Sequence, residues 1–239
     1  MIPKVINQTA RSKRLSWEEE RIARRLRRML PDWQYLLWDE ADKSALMLRS
    51  FPDLASRFEA IPYGVAKADI ARYAFLYERG GFYFDTDYRL LRPINEQLLQ
   101  HCCIIPIEHR WTLSERPSGH VELGNSLLAS EQGHPFWREL VYYIFNEKHP
   151  EELNDMGQII PVTGPVVLTE FYMQNASRFP EIVTPEKNVF QPDIRWFALS
   201  SSADDETYGM HLHWGSWRER KPLIAASTIV RRKLNGLMS

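Results

Sequence analysis

Cysteine is almost missing: among 239 residues there are two, Cys102 and Cys103, side by side. Neighbours on an extended strand point to opposite faces and do not bridge each other, and no third cysteine exists to pair with either. A disulfide scaffold is therefore excluded, and so is a zinc site built on CxxC pairs. A reducing, cytoplasmic compartment is the expectation. Long apolar runs are missing as well; no window approaches the roughly 18 residues that a membrane span requires. The opening Met1-Ile-Pro-Lys-Val-Ile-Asn has no charged stretch followed by an apolar core, so no secretory leader is expected. Net charge is nearly zero, with 30 Lys and Arg against 31 Asp and Glu. No overall field recruits nucleic acid, and none is expected as a partner. Repeats and low-complexity stretches are absent, which excludes collagen, coiled coil and disorder.

What is present is an ordinary globular composition, 44% hydrophobic and 26% charged, with an unusual eight Trp. Such use of Trp suits a chain that builds stacking surfaces as well as a core. One domain over residues 1–239 is expected, since nothing resembles a linker. Ile2–Ile6 reads as a first strand. Ser16 followed by three Glu opens a helix that stops at Pro31. Trp33–Trp38 reads as a strand, and Asp39–Arg49 and Asp53–Ala60 as short helices. Tyr63–Arg79 carries apolar residues at helical spacing and ends at Gly80-Gly81. Phe82–Phe84 is a buried strand ending at Asp85. Further strands are expected over 102–108 and 121–129, helices over Pro135–Glu147, Pro165–Asn175 and 222–234. Strand–helix alternation followed by mixed elements points to an α/β fold with a mixed, partly parallel central sheet.

The chemistry is concentrated between Lys67 and Pro93. Asp69 and Arg72, three apart on a helix, share a face. Asp85 and Asp87, two apart at a strand end, share a face if the strand continues. Paired carboxylates there suit a hard divalent cation, Mn²⁺ or Mg²⁺, which completes its shell with water and phosphate oxygens. An isolated Asp-x-Asp is equally an ordinary turn, and Asp69–Arg72 equally a helix ion pair. Two basic runs, Arg21–Arg28 and Arg231-Arg232-Lys233, are either solvated faces or seats for peripheral membrane contact.

The full string around these residues resembles the signature of glycosyltransferase family 32, the enzymes with a DXD sugar-binding region. Ile-Pro-Lys-Val-Ile-Asn-Gln at 2–8, Leu37-Trp38-Asp39, Gly124-Asn125-Ser126, Gly133-His134-Pro135-Phe136, Thr163-Gly164-Pro165 and His211-Leu-His-Trp-Gly-Ser-Trp217 are similar to its other motifs, in the same order. The resemblance implies a GT-A type nucleotide-diphospho-sugar transferase fold and retaining hexosyl transfer. The donor it implies is a nucleotide sugar, UDP-linked first and GDP-mannose second; the acceptor is a glycan or lipid-linked glycan of surface polysaccharide biosynthesis. It assigns Asp69, Arg72, Asp85 and Asp87 to catalysis. Asp69, Arg72, Asp85, Asn125, Ser216 and Trp217 are assigned to the donor, and Asp87 and His211 to the metal, with His213 open as a substitute. Asn7 stands where the family usually has His; its amide suits a nucleobase edge, and Trp38 either flanks the base or packs in the core. A degenerate homologue that binds without turnover is the alternative. Nucleotidyltransferases and phosphatases also use paired acids, yet they leave the Asp69–Arg72 pair without a role.

Overall fold

The computed structural model of the chain describes residues 1–110, 121–192 and 207–214. Strand and helix alternate through the first part: β1 (Val5–Thr9), α1 (Trp17–Met29), β2 (Gln34–Trp38), α2 (Glu40–Ser50), α3 (Ala55–Ala60), α4 (Gly64–Arg79) and β3 (Gly81–Phe84). Shorter pieces follow: β4 (Tyr88–Leu90), α5 (Glu96–Leu99), β5 (Cys103–Ile104), β6 (Ile107–Arg110), β7 (Val121–Leu123), β8 (Leu127–Ser130) and α6 (Pro135–Tyr143). The described remainder holds α7 (Ile159–Val162), α8 (Pro165–Asn175), β9 (Ile182–Val183), α9 (Lys187–Phe190) and β10 (Gly209–His211).

Six strands make one mixed sheet in the order β2-β1-β3-β8-β5-β9. β1 is parallel to β2 and β3, β8 is antiparallel to β3 and β5, and β9 is parallel to β5. Two antiparallel ribbons, β4–β10 and β6–β7, stand apart from it. The period of two along β3 feeds both faces: Phe82 and Phe84 join Ile6, Leu26 and Leu127 in one core, while Tyr83 joins Ile70, Phe75, Trp137 and Leu168 in the other. Burial on both faces explains why β3 reads as an unbroken apolar run.

Local chemistry sets the boundaries. Ser16 and Glu19 form a reciprocal capping box on α1: Glu19 N–H donates to Ser16 Oγ and Ser16 N–H to the Glu19 carboxylate. The turn from α4 into β3 needs two glycines. Gly80 and Gly81 sit at φ 67° and 87°, and a Cβ on either would meet backbone atoms at 2.6 Å and 2.5 Å.

Several expectations shift. β1 begins at Val5, not Ile2, because Pro3 has no N–H to give a ladder and its carbonyl is taken by Val5 N–H. The strand then runs on through polar Asn7, Gln8 and Thr9. The strand expected over 102–108 breaks at Pro106 into β5 and β6, which belong to different sheets. That over 121–129 breaks at Gly124-Asn125-Ser126 into β7 and β8. After Tyr143 the helix widens into a π-helical turn, Ile144–Lys148, closed by His149 at φ 47°. The helix expected over 222–234 and the basic run 231–233 lie outside the described residues. No helix among the described residues is long and apolar enough to cross a membrane.

Candidate active site

The carboxyl ends of β1 and β3 open into a cleft of about 880 Å³, where ligands of open α/β sheets bind. Thr9 and Ala10 line it from the end of β1, Asp85 and Asp87 from beyond β3, Gly64 to Arg72 from α4 with Asn125 bonded to them, and Glu108 and His211 from the two ribbons.

One wall is a hydrogen-bond network in which Arg72 Nε is left buried without a partner among the described residues. Asp69 and Arg72, each 5% exposed, form an ion pair at 2.9 Å across one turn of α4. Thr163 Oγ1 and Asn125 Nδ2 donate to the two Asp69 oxygens at 2.9 Å and 3.1 Å. Arg72 in turn donates to the Asn125 carbonyl at 2.6 Å, lies 3.4 Å from Asp85 and stacks 4.6 Å over the Tyr83 ring. Burial works against the Arg72 charge, but Asp85, Tyr83 and Asp69 outweigh it and hold the guanidinium ionised. Burial pushes the Asp69 carboxyl up, with Arg72, Thr163 and Asn125 opposing.

The other wall is a turn and a ribbon. Asp85 and Asp87 do not continue the strand: Tyr88 N–H donates to the Asp85 carbonyl at 2.9 Å and closes a turn, so their convergence comes from the turn and not from strand alternation. In the β4–β10 ladder His211 pairs with Tyr88, which sets its ring beside that turn. His211 Nε2 is 3.0 Å from Asp87 Oδ1 and 3.7 Å from Asp85 Oδ2. Trp214 N–H donates to the remaining Asp87 oxygen at 2.8 Å, and Tyr83 Oη donates to Asp85. The middle residue, Thr86, donates to Glu19 Oε1 at 2.8 Å, so the carboxylate that caps α1 also holds the turn.

Burial raises the Asp85 carboxyl, with Arg72 and His211 opposing and Asp87 adding to the rise. Asp87 is half-buried, yet the His211 hydrogen bond and the Trp214 N–H outweigh desolvation and bring its pKa below the usual value. For His211, burial is outweighed by Asp87, Asp85 and Glu108, and its pKa is raised. Asp85, Asp87 and His211 each offer a ligand atom within 4.8 Å of the others, and two carboxylates with an imidazole fit a hard divalent ion. Among the described residues His211 Nδ1 is buried without a hydrogen-bond partner, so none of them fixes which tautomer the ring adopts.

Asp69, Arg72, Asp85, Asp87, Asn125 and His211 thus meet at one cleft. Asn125 contacts it from inside the Asp69–Arg72 network. Ser216 and Trp217 lie outside the described residues. The nucleobase reading of Asn7 is corrected: its amide donates to the carbonyls of Gly80 (3.1 Å) and Phe82 (3.4 Å) and accepts from Trp38 Nε1 (3.0 Å). Trp38 is buried, stacked on Phe75. Both residues tie β1 and β2 to the Gly80-Gly81 turn. Glu108, Glu122 and the buried Lys43 also line the cleft and were not anticipated. Their only sequence signal was a charge inside or beside an apolar run. Thr163 stood out only as part of a turn.

Residues 16–104 match the family described as a glycosyltransferase sugar-binding region containing a DXD motif. The chain is 27% identical over 174 residues to inositol phosphoceramide mannosyltransferase 3 of Schizosaccharomyces pombe, covering 70% of this chain and 44% of that protein. It is 24% identical over 246 residues to the initiation-specific alpha-1,6-mannosyltransferase of Candida albicans, covering 79% of this chain and 64% of that one. The chain therefore spans about half to two thirds of these relatives. Among solved structures it is similar to the PaToxG glycosyltransferase, with a TM-score of 0.54 at 16% identity over 74% of this chain and 70% of that one. This likeness agrees with the mixed sheet described above, and the fold is GT-A. The string from Asp69 to Asp87, the family match that contains it and the order of the strands agree: residues 16–104 match a glycosyltransferase sugar-binding region containing a DXD motif, set in a GT-A fold.

Proposed function

We propose that the chain is a metal-dependent, retaining glycosyltransferase that moves a hexose from a nucleotide diphosphate sugar to a glycan or lipid-linked glycan. One observation carries this reading: the buried Asp69–Arg72 pair and the Asp85–Asp87–His211 group face the same cleft, with Arg72 bridging them at 3.4 Å from Asp85. In this reading Asp69 accepts from sugar hydroxyls while Arg72 donates in a fixed fork. Asp85, Asp87 and His211 would hold Mn²⁺ or Mg²⁺, whose charge stabilises the departing diphosphate. The chain's own part is to keep Arg72 ionised beside that diphosphate and to hold the donor without rearrangement. Mannose ranks first among the sugars, because the relatives reported above are named as mannosyltransferases.

The acceptor belongs to surface polysaccharide assembly at the inner, cytoplasmic face of a membrane in this reading. Support comes from α1, where Trp17, 72% exposed, lies beside Arg21 on a face continued by exposed Arg24 and Arg28. Cosedimentation with phosphatidylglycerol vesicles and not with phosphatidylcholine vesicles is expected, and equal binding to neither would remove the membrane contact.

The test of the transfer reading is a thermal-shift panel of UDP- and GDP-sugars with Mn²⁺ or EDTA. A ligand at a hundredfold its Kd stabilises by about 2.7 kcal/mol. At least one sugar nucleotide should shift the melt in Mn²⁺ and lose that shift in EDTA. No shift from any donor defeats the reading; a shift without release of nucleoside diphosphate favours the non-catalytic alternative.

A further inference from the structure

Glu108 has no place in the donor machinery described so far, yet the fold delivers it into the same cleft. The β6–β7 ribbon pairs Ile107 with Leu123 and His109 with Glu122, and the register slips between Ile107 and His109. Glu108 is the extra residue of that bulge. Bulges re-aim side chains and break strict alternation. Here the slip puts a carboxylate on the cleft side, in a region already crowded by Asp85, Asp87 and Glu122.

This is a costly place for a carboxylate. Burial raises its pKa, and Glu122 and Asp85 push the same way against His211. Among the described residues no hydrogen-bond donor reaches it, in contrast to Asp69, Asp85 and Asp87, each of which accepts at least one hydrogen bond. It groups with the ring nitrogens of His211 and His213 within 4.8 Å, but it falls outside the Asp85–Asp87–His211 set. A cation seated on those three has its protein ligands without Glu108. The sugar hydroxyls of the donor have Asp69 and Arg72 on the opposite wall. What remains for an acceptor-only group facing the cleft is an O–H from the second substrate.

We propose that Glu108 receives the hydrogen bond of the attacking acceptor hydroxyl and orients its oxygen toward the donor. This rests on the transfer reading above. In the step it serves, the acceptor oxygen forms a bond to the anomeric carbon. The bond from that carbon to the diphosphate oxygen breaks, and its electron pair stays on the diphosphate. As the bond forms, the acceptor proton swings from its hydrogen bond with Glu108 to the departing diphosphate oxygen, so Glu108 ends the step as the carboxylate it began. A carboxylate that aims the hydroxyl fixes the near-attack geometry, an entropic contribution.

The experiment compares wild type with Glu108→Gln in Mn²⁺, using GDP-mannose and UDP-glucose as donors and methyl α-mannoside as the acceptor probe. Release of nucleoside diphosphate is followed as each substrate is varied, and GDP and UDP affinities are measured by calorimetry. The expected result is a rise in acceptor KM or a fall in acceptor-supported release of about tenfold or more, the usual effect of losing a charged hydrogen-bond partner. Donor KM and nucleoside diphosphate affinity should stay within about twofold. If Mn²⁺-dependent nucleotide affinity falls together with the rate, Glu108 is a cation ligand and the inference is overturned. Unchanged acceptor kinetics overturn it too. Should Glu108→Gln not fold, Glu108→Asp is read by the same criteria, since it keeps the charge and withdraws it by one methylene. A wild type that releases nucleoside diphosphate from neither donor overturns the transfer reading and this inference together; a Glu108→Gln enzyme as active as wild type overturns this inference alone.

Discussion

The two walls of the cleft are held in opposite ways. On the α4 side every charged group has its partner: Asp69 has Thr163, Asn125 and Arg72, and Arg72 has Asp69, Asp85, the Asn125 carbonyl and the Tyr83 ring. On the side of the turn and the β4–β10 ribbon, Asp85, Asp87 and Glu108 crowd around the imidazoles of His211 and His213. The first wall is tied together before any ligand arrives, with Arg72 Nε left unpartnered among the described residues. The second carries surplus negative charge, which a cation would relieve. Rigidity belongs to one and electrostatic tension to the other, so mutations should sort by their effect on folding: large on the first wall, small on the second.

The largest effect is expected from Asp87→Asn, nearly isosteric but without the charge. Sugar transfer, or donor hydrolysis in its absence, should fall by about 100-fold or more, in line with loss of charge stabilisation at a leaving group. The melting temperature should hardly move, because the Trp214 N–H retains an acceptor. A variant with full activity would remove Asp87 from the metal set, and a large loss of stability would erase the contrast between the walls.

Next comes Arg72→Met, which leaves Asp69 and Asp85 buried and uncompensated. Breaking a buried pair from one side costs about 3–5 kcal/mol. For a chain of this size that is a drop in melting temperature of roughly 6–20 °C. If calorimetry shows a drop as small as that of Asp87→Asn, the first wall is not the tied network described.

The smallest effect is a pair of opposite pH trends. The His211 pKa is raised in the folded state, so the stability it contributes is complete below its ordinary value of 6.5 and is lost as pH rises through the folded value. In EDTA the melting temperature should therefore decline as pH rises above 6.5 through this group. A ligating imidazole must shed that proton, so Mn²⁺-dependent nucleotide affinity should rise over the same range. His211→Gln should flatten both trends; two unchanged slopes would take His211 out of the metal set.

Much of the first wall could be read from local spacing. Asp69 and Arg72 meet because three residues nearly complete a helical turn, and Gly80-Gly81 marks the helix end because no other residue fits there. The second wall depends on contacts that spacing does not carry. Asp-Thr-Asp was legible as a pair of acids, but not as a turn held by Glu19 on one side and β10 on the other. Glu108 owes its direction to a register slip against β7, which no pattern within residues 102–108 contains. Asn7 was misread for a related reason. An amide in a buried strand is either a ligand contact or a bracket between neighbouring segments, and only the positions of Gly80, Phe82 and Trp38 decide which.

The hydrogen bond between Asp87 and His211 joins residues 124 apart in the chain. A ribosome adds about 5–20 residues each second, N-terminus first, so α4 and the acidic turn emerge well before β10. Until that ribbon docks, the turn has two carboxylates but neither the imidazole nor the Trp214 N–H that orients Asp87. The nascent chain thus has the Asp69–Arg72 wall before it has the Asp85–Asp87–His211 group. On the reading proposed above, competence comes with one of the longest-range contacts among the described residues, not with the Asp-Thr-Asp string alone.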